Sequence, residues 1–322
     1  MRFGILGTAD IARESVIPGI RKSDHEAAAV ASRDHERAER FAEECDITEA
    51  YGSYEALFDA DIDAVYNPLP NALHAEWSER AADAGLHVLC EKPLTTTADR
   101  TVDLFDHCAD AGVTLMEAFM YQFHPRTERT REVAVEELGD VRSVDATFTF
   151  RLPGPPDIRL DADLGGGALF DVGSYAVSAA RGFLGEPDRA YAHFADTRDS
   201  GVDTDVAGLL EYDDGRTARV AAGFDTAHVE RYRVEAVDGF LEARDCFAPG
   251  EREVAMRYEV DGRRVEETFD AVDQYEREVE GFAAAAESGS PPRVDRAETL
   301  GNVRTLDALR ESAAEGVPVD VA

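Results

Sequence analysis

With 322 residues, 44% of them hydrophobic, the chain can bury the cores of two domains and is too apolar for disorder to dominate. Its 67 acidic residues against 33 basic ones give a formal net charge of −34, dispersed along the chain rather than gathered in a tail. Such a surface repels phosphate backbones and anionic lipid, which argues against nucleic acid and membrane as partners.

Only Lys22 and Lys92 are lysines. Lysine poverty with scattered carboxylates fits a salt-adapted protein, because a Debye length of ~3 Å at 1 M screens the self-repulsion. Cys45, Cys90, Cys108 and Cys246 lie far apart without ligand spacing, so buried thiols are expected, with no disulfide and no metal site. The chain opens on an apparent strand with no signal peptide before it, and no apolar run reaches about 18 residues, so a cytoplasmic location is expected.

Short apolar runs at 3–6, 28–31, 64–66, 88–90 and 113–116 alternate with helix-like stretches such as 34–44, 72–84 and 98–111. That rhythm predicts βαβ units and a parallel sheet over residues 1–120, a dinucleotide-binding domain. Gly7-Thr8-Ala9-Asp10-Ile11-Ala12 follows the first strand and opens a helix, as a phosphate-binding loop must. Alanine replaces the second and third glycines of the usual pattern, so a tight structural turn is an equal reading of the loop alone. At the end of the second strand, Ser32-Arg33 stands where an NAD-specific site carries an acid, with Arg37 one helical turn further. Three such groups suit a ribose 2′-phosphate, which favours NADP while leaving NAD possible. The alternative is helix N-capping by Ser32 with solvated arginines, an option that Asp34 keeps open.

Lys92 ends the apolar run 86–90. A compact ammonium with three rotating donors there can reach a substrate oxygen and a neighbouring acid/base group together, unlike arginine. Lys22, on an exposed polar stretch, reads as a surface lysine.

Past residue 140 the pattern changes to alternating strands at 141–151, 206–212, 216–224, 232–237, 253–260 and 263–269, with hairpin signals at 213–215 and 261–262. Helical patterns recur at 168–183, 274–287 and 296–314. Residues 121–322 thus read as a substrate-binding and oligomerisation α+β domain with an open, mostly antiparallel sheet, its last helix free to pack back on the first domain. The sheet's outer face needs cover, so self-association through it is expected.

Asn67-Pro68-Leu69-Pro70-Asn71 with His74, Glu91-Lys92-Pro93, Glu117 to Tyr121, Phe123-His124-Pro125 and Gly165-Gly166-Gly167 through Asp171 to Tyr175 together resemble the glucose-fructose oxidoreductase/inositol dehydrogenase (Gfo/Idh/MocA) family. The likeness spans essentially the whole chain. It implies an N-terminal Rossmann domain, a C-terminal α/β domain, nicotinamide-dependent redox chemistry on a sugar-like carbonyl, and a cis peptide before Pro93. Where many members carry histidine four residues after the aspartate, this chain carries Tyr175, similar to the D-xylose dehydrogenase and dimeric dihydrodiol dehydrogenase branch, in which a tyrosine is the acid/base.

The resemblance implies roles for specific positions. Tyr175 would take the C1 hydroxyl proton of a cyclic aldose, Lys92 would polarise the reacting oxygen and favour the phenolate, and Asp171 would orient the sugar. Gly7, Thr8, Ala9, Asp10, Ile11, Ser32, Arg33, Arg37, Asn67, Pro68, Pro70, Asn71, His74, Glu91 and Lys92 would surround the cofactor. Tyr121, Phe123, His124 and Arg159 are candidate sugar contacts, and Trp77 reads as packing. NADP-dependent oxidation of D-xylose to its lactone is the first expectation. Another cyclic polyol, keto-sugar or trans-dihydrodiol is the alternative substrate, and a non-catalytic NADP-binding sensor is the alternative of a different class.

Overall fold

A computed structural model describes residues 1–154 and 157–321. It divides into two compact units, residues 1–123 with 273–299 and residues 124–272 with 300–322.

In the first unit, β1 (Arg2–Leu6), β2 (Glu26–Ala31), β3 (Glu49–Tyr51), β4 (Ala64–Asn67), β5 (His87–Glu91) and β6 (Leu115–Ala118) form a parallel sheet in the order β3-β2-β1-β4-β5-β6. Phe3, Ile5, Val30, Val65, Tyr66, Val88 and Leu89 are fully buried, because helices cover both faces of such a sheet; this is why its strands read as unbroken apolar runs. Only three-residue β3, at the edge, gives no such run. The order reverses beside β1, so a crevice for ligands lies at the carboxyl ends of β1 and β4. Asp34 and Thr97 cap the helices His35–Glu44 and Ala98–Asp110 with their side chains.

The sequence closes this unit once, near residue 120, yet the chain returns to it through the helix Gln274–Ser288. Gly19 makes that possible: a Cβ there would stand 2.8 Å from the backbone nitrogen of Glu276. The final helix, Arg296–Glu315, has all but its first turn in the second unit.

The second unit is built on a nine-stranded sheet: β7 (Val141–Arg151), β8 (Arg189–Ala195), β9 (Asp205–Glu211), β10 (Thr217–Gly223), β11 (Asp225–Ala236), β12 (Gly239–Arg244), β13 (Val254–Val260), β14 (Arg263–Phe269) and β15 (Val319–Asp320). Their order is β14-β13-β12-β11-β7-β10-β9-β8-β15, and only β7 and β10 run parallel. β8, β12 and β15 escape the sequence reading, and β11 begins seven residues earlier than the alternation at 232–237 indicates. Residues 225–229 are all exposed and carry no apolar pattern; pairing with β7, not burial, makes them a strand. Tyr232 and Val234 of β11 are buried on the helix-covered face, whereas Arg231 and Arg233 alternate onto the other.

Candidate active site

The first unit gathers its polar groups at the carboxyl ends of β1, β2, β4 and β5. Gly7 has φ +89°, a left-handed conformation that suits glycine, and donates its N–H to Ala31 O at 2.8 Å. Its missing side chain also makes room, since a Cβ would approach Leu69 to 3.0 Å. Thr8 and Ala9 lead into a helical stretch beginning at Asp10 and Ile11, with a π-type segment at Ala12–Val16. Asp10 pairs with Arg13.

At the end of β2, Ser32 is buried and accepts from Asp34 N–H at 3.3 Å, while Asp34 caps the following helix through Arg37 N–H at 3.2 Å. Arg33 and Arg37 are exposed, and among the described residues neither guanidinium is paired with a carboxylate. In a chain with twice as many acids as bases, two adjacent cations kept out of ion pairs are a distinctive feature.

Asn67 and His74 have both turned inward. The Asn67 amide donates to His74 O and Ser78 Oγ, each at 3.1 Å, and its oxygen accepts from Leu69 N–H at 3.3 Å. His74 reaches Pro93 O with Nδ1 at 2.8 Å and Leu69 O with Nε2 at 2.6 Å. Burial pushes its imidazole down to about 4. These two side chains therefore fix the 68–71 and 92–94 loops to each other. Pro68 lies in the first loop, and Pro70 precedes the helix Asn71–Asp83.

Glu91 accepts from Tyr66 O–H at 2.6 Å and from Lys92 N–H at 3.3 Å, and the Lys92-Pro93 bond is cis. The fully buried Glu117 accepts Leu94 N–H at 2.8 Å and so secures the chain just past Lys92. Glu278, on the returning helix, is fully buried; desolvation first, then the Glu91 charge, raises its carboxyl well above the usual range. Glu117 belongs to the quoted motif but drew no role from it, and Glu278 lies on a pattern that signals only an amphipathic helix.

Tyr121 and Phe123, expected at the sugar, are buried in this unit. Phe123 stands under the Arg293 guanidinium at 5.3 Å, and a Cβ at Gly281 would lie 2.6 Å from its ring, so helix packing occupies it. His124 likewise acts on the backbone: it caps the helix Pro125–Glu136 by accepting Arg126 N–H at 3.1 Å. Trp77 packs edge-on against Tyr54 at 4.7 Å.

In the second unit, Gly166 and Gly167 permit a tight approach to the helical segment Leu169–Gly173, which is π-wound and runs into the helix Ser174–Leu184. A Cβ at Gly166 would meet Arg159 O at 2.5 Å, and one at Gly167 would meet Asp203 at 2.4 Å. The expected single α-helix over 168–183 is thus wound differently between Asp171 and Tyr175, a distortion frequent at functional sites. Asp171 accepts from Arg159 Nε at 2.9 Å, and Arg159 also reaches Asp157 at 3.3 Å. Tyr175 is buried against Phe148 and Phe247, with ring centroids 5.5 and 5.4 Å away, while Phe148 and Phe247 stack at 5.5 Å.

Asp203, absent from the sequence reading, accepts Leu169 N–H at 2.7 Å and anchors this segment. Burial pushes its carboxyl up to about 6. A carboxyl raised in the folded state stabilises the fold below its unfolded value and loses that contribution as pH rises through the folded one. Acidification from pH 7 to 5 should therefore stabilise wild type over Asp203→Asn by about 1 kcal/mol, allowing for partial exposure. Parallel melting curves for both proteins across that window would rule this out.

All four cysteines are free and buried. Among the described residues, no cluster of histidine, cysteine or acidic side chains suits a metal ion, and no helix is long and apolar enough to cross a membrane.

Residues 1–119 match the oxidoreductase family with an NAD-binding Rossmann fold, and residues 130–242 match the GFO/IDH/MocA C-terminal domain. Over the full length of both chains, the sequence is 59% identical to D-xylose 1-dehydrogenase (NADP(+)) 2 of Haloferax volcanii. It is 32% identical to mouse trans-1,2-dihydrobenzene-1,2-diol dehydrogenase, with 78% of this chain and 77% of that one aligned. The structure of KijD10, a 3-ketoreductase from Actinomadura kijaniata in complex with NADP and TDP-benzene, superimposes with TM-score 0.92 at 36% identity, over 97% of each chain. Variants of that enzyme altered at a tyrosine or at a lysine have the same fold and ligands. The parallel sheet with its nucleotide-type crevice, the second mixed sheet and a full-length match at this identity establish that the chain belongs to the Gfo/Idh/MocA family of oxidoreductases.

Proposed function

We propose that this protein is an NADP-dependent aldose 1-dehydrogenase acting on D-xylose. The observation that carries the reading is 59% identity, end to end, to a D-xylose 1-dehydrogenase (NADP(+)), in a chain that carries Lys92, Asp171 and Tyr175 in its own motifs. The cofactor fits the first unit: Gly7 keeps the turn at the end of β1 open, and Arg33 and Arg37 offer unpaired cations where a ribose 2′-phosphate would be bound. Bound NADP supplies the hydride acceptor.

The chain's own groups handle the proton and the orientation. Tyr175 takes the C1 hydroxyl proton as the carbon is oxidised. Lys92 polarises that oxygen and favours the phenolate over the phenol. Asp171, itself steered by Arg159, accepts from a neighbouring sugar hydroxyl. The likeness to KijD10 keeps a keto-sugar reductase as the second reading. Cofactor reduction across aldoses, cyclic polyols and dihydrodiols, with NADPH oxidation across keto-sugars, in molar KCl, separates the two: D-xylose should turn over with NADP, and no turnover in either direction would leave only a non-catalytic sensor.

Assembly and surroundings belong to the same proposal. One register row across β10, β7, β11, β12, β13 and β14 reads Arg219, Asp145, Arg233, Glu242, Arg257, Glu266, with strictly alternating charge. On a surface otherwise dominated by carboxylates, this sheet face is charge-balanced and can be matched by a second copy, positive to negative. The protein should therefore sediment as a homodimer or homotetramer in molar KCl, and a monomer there would remove the idea. Free thiols and the acidic surface support a cytoplasmic, salt-adapted protein; melting temperatures equal in molar and millimolar KCl would contradict the adaptation.

A further inference from the structure

Beside Tyr175, on the same unit, stands an imidazole that neither the motif nor the proposed chemistry uses. His228, near the start of β11, is more than half exposed, with 58% of its side chain accessible. Its partner Glu230 is 1% exposed. One Glu230 oxygen accepts the backbone N–H groups of Phe247 and Ala248 at 2.9 and 2.7 Å, which leaves the other facing His228 Nε2 at 3.0 Å. The buried carboxylate, fixed in this way, lies against the imidazole and orients the ring, the arrangement by which carboxylates set histidines in working sites. The other ring nitrogen, Nδ1, is bonded by no described residue.

The ring's position gives that nitrogen a purpose. His228 meets Phe148 edge-on, centroids 6.0 Å apart at 83°, and Phe148 is the ring packed 5.5 Å from Tyr175. Phe247, whose backbone Glu230 binds, touches both Phe148 and Tyr175. Tyr175, the two buried phenylalanines and the exposed His228 therefore form one contiguous aromatic cluster, with the proposed acid/base at one end and the imidazole at the other. The hydroxyls of a cyclic sugar require polar partners at its edges.

We infer that His228, held by Glu230, is the specificity-determining residue of this site: it accepts a hydrogen bond from a substrate ring hydroxyl on the C3–C4 edge, opposite the C1 oxygen handled by Tyr175. The inference rests on the dehydrogenase reading above and adds to it the group that reads the sugar's far side. A site built to bond a hydroxyl discriminates strongly against an analogue lacking it, because its own polar group is left unpaired.

The test is steady-state kinetics of the NADP-loaded enzyme with D-xylose and its 3-deoxy and 4-deoxy analogues. His228→Phe should raise KM for D-xylose about 10-fold or more, leave kcat and the KM for NADP within about 2-fold, and abolish the preference for D-xylose over one deoxy analogue. His228→Gln, which keeps a hydrogen-bonding group, should restore most of the affinity. A purely structural ion pair would instead lower the melting temperature and leave the deoxy preference intact. Normal turnover with unchanged KM in His228→Phe overturns this inference alone. A wild-type chain that oxidises nothing in the panel overturns the dehydrogenase reading, and this inference with it.

Discussion

Tyr175→Phe should lower kcat by about 10²–10⁴-fold while NADP affinity stays within about 2-fold of wild type, because only the proton-transfer group is lost. The substitution is well suited to the question. Tyr175 meets Phe148 and Phe247 through its ring, so phenylalanine can fill the same slot and the melting temperature should barely move. Fold and chemistry then separate: a core aromatic would tolerate the change, and an acid/base would not. Lys92→Ala should impose a loss of similar order, and the double variant should be little worse than either single one, since the proposed mechanism couples the two groups in one proton transfer. A fully active Tyr175→Phe enzyme refutes the assignment, and additive losses in the double variant refute the pairing of the phenol with the ammonium.

Removing Arg33 and Arg37 together should raise KM for NADP by about 100-fold and leave that for NAD nearly unchanged. A charge-assisted hydrogen bond contributes roughly 1.5–3 kcal/mol, and the effect applies only to a cofactor carrying the 2′-phosphate. Both guanidiniums are exposed and, among the described residues, paired with no carboxylate, so their loss breaks no described ion pair and leaves the Asp34 cap intact, because Arg37 donates to it with its backbone N–H. Ser32 is buried and accepts from Asp34 N–H, which keeps its own hydroxyl proton available for the phosphate. An NADP-to-NAD preference unchanged in the double variant would place cofactor selection elsewhere.

Much of this protein is legible along the chain. The parallel strands appear as apolar runs because each is buried on both faces, and the change to alternation near residue 140 follows from a sheet covered by helices on one side. Gly7, Lys92 and the Gly165 to Tyr175 segment also announce themselves locally, through a required backbone conformation, a rare residue type or a motif. The weaker readings concern side chains whose partners are remote. Asn67, His74, Phe123 and His124 are polar or aromatic residues in a motif, which reads equally as ligand contact or as structural bond, and the fold turns all four toward the protein.

Sequence alone determined the two-sheet organisation and the nucleotide-type crevice, because these depend on local burial pattern and on residue type. Tertiary structure alone decided which helix returns to the first unit, that Glu117 secures the chain past Lys92, that Asp203 anchors the Tyr175 helix, and that six strands align an alternating row of charge. It also decided that Glu230 grips His228 beside the Tyr175 rings. The physical reason is the same in each case. These contacts join residues separated by many turns of chain, or depend on strand register, in which a shift of a single residue turns every side chain to the opposite face, and no local periodicity encodes either.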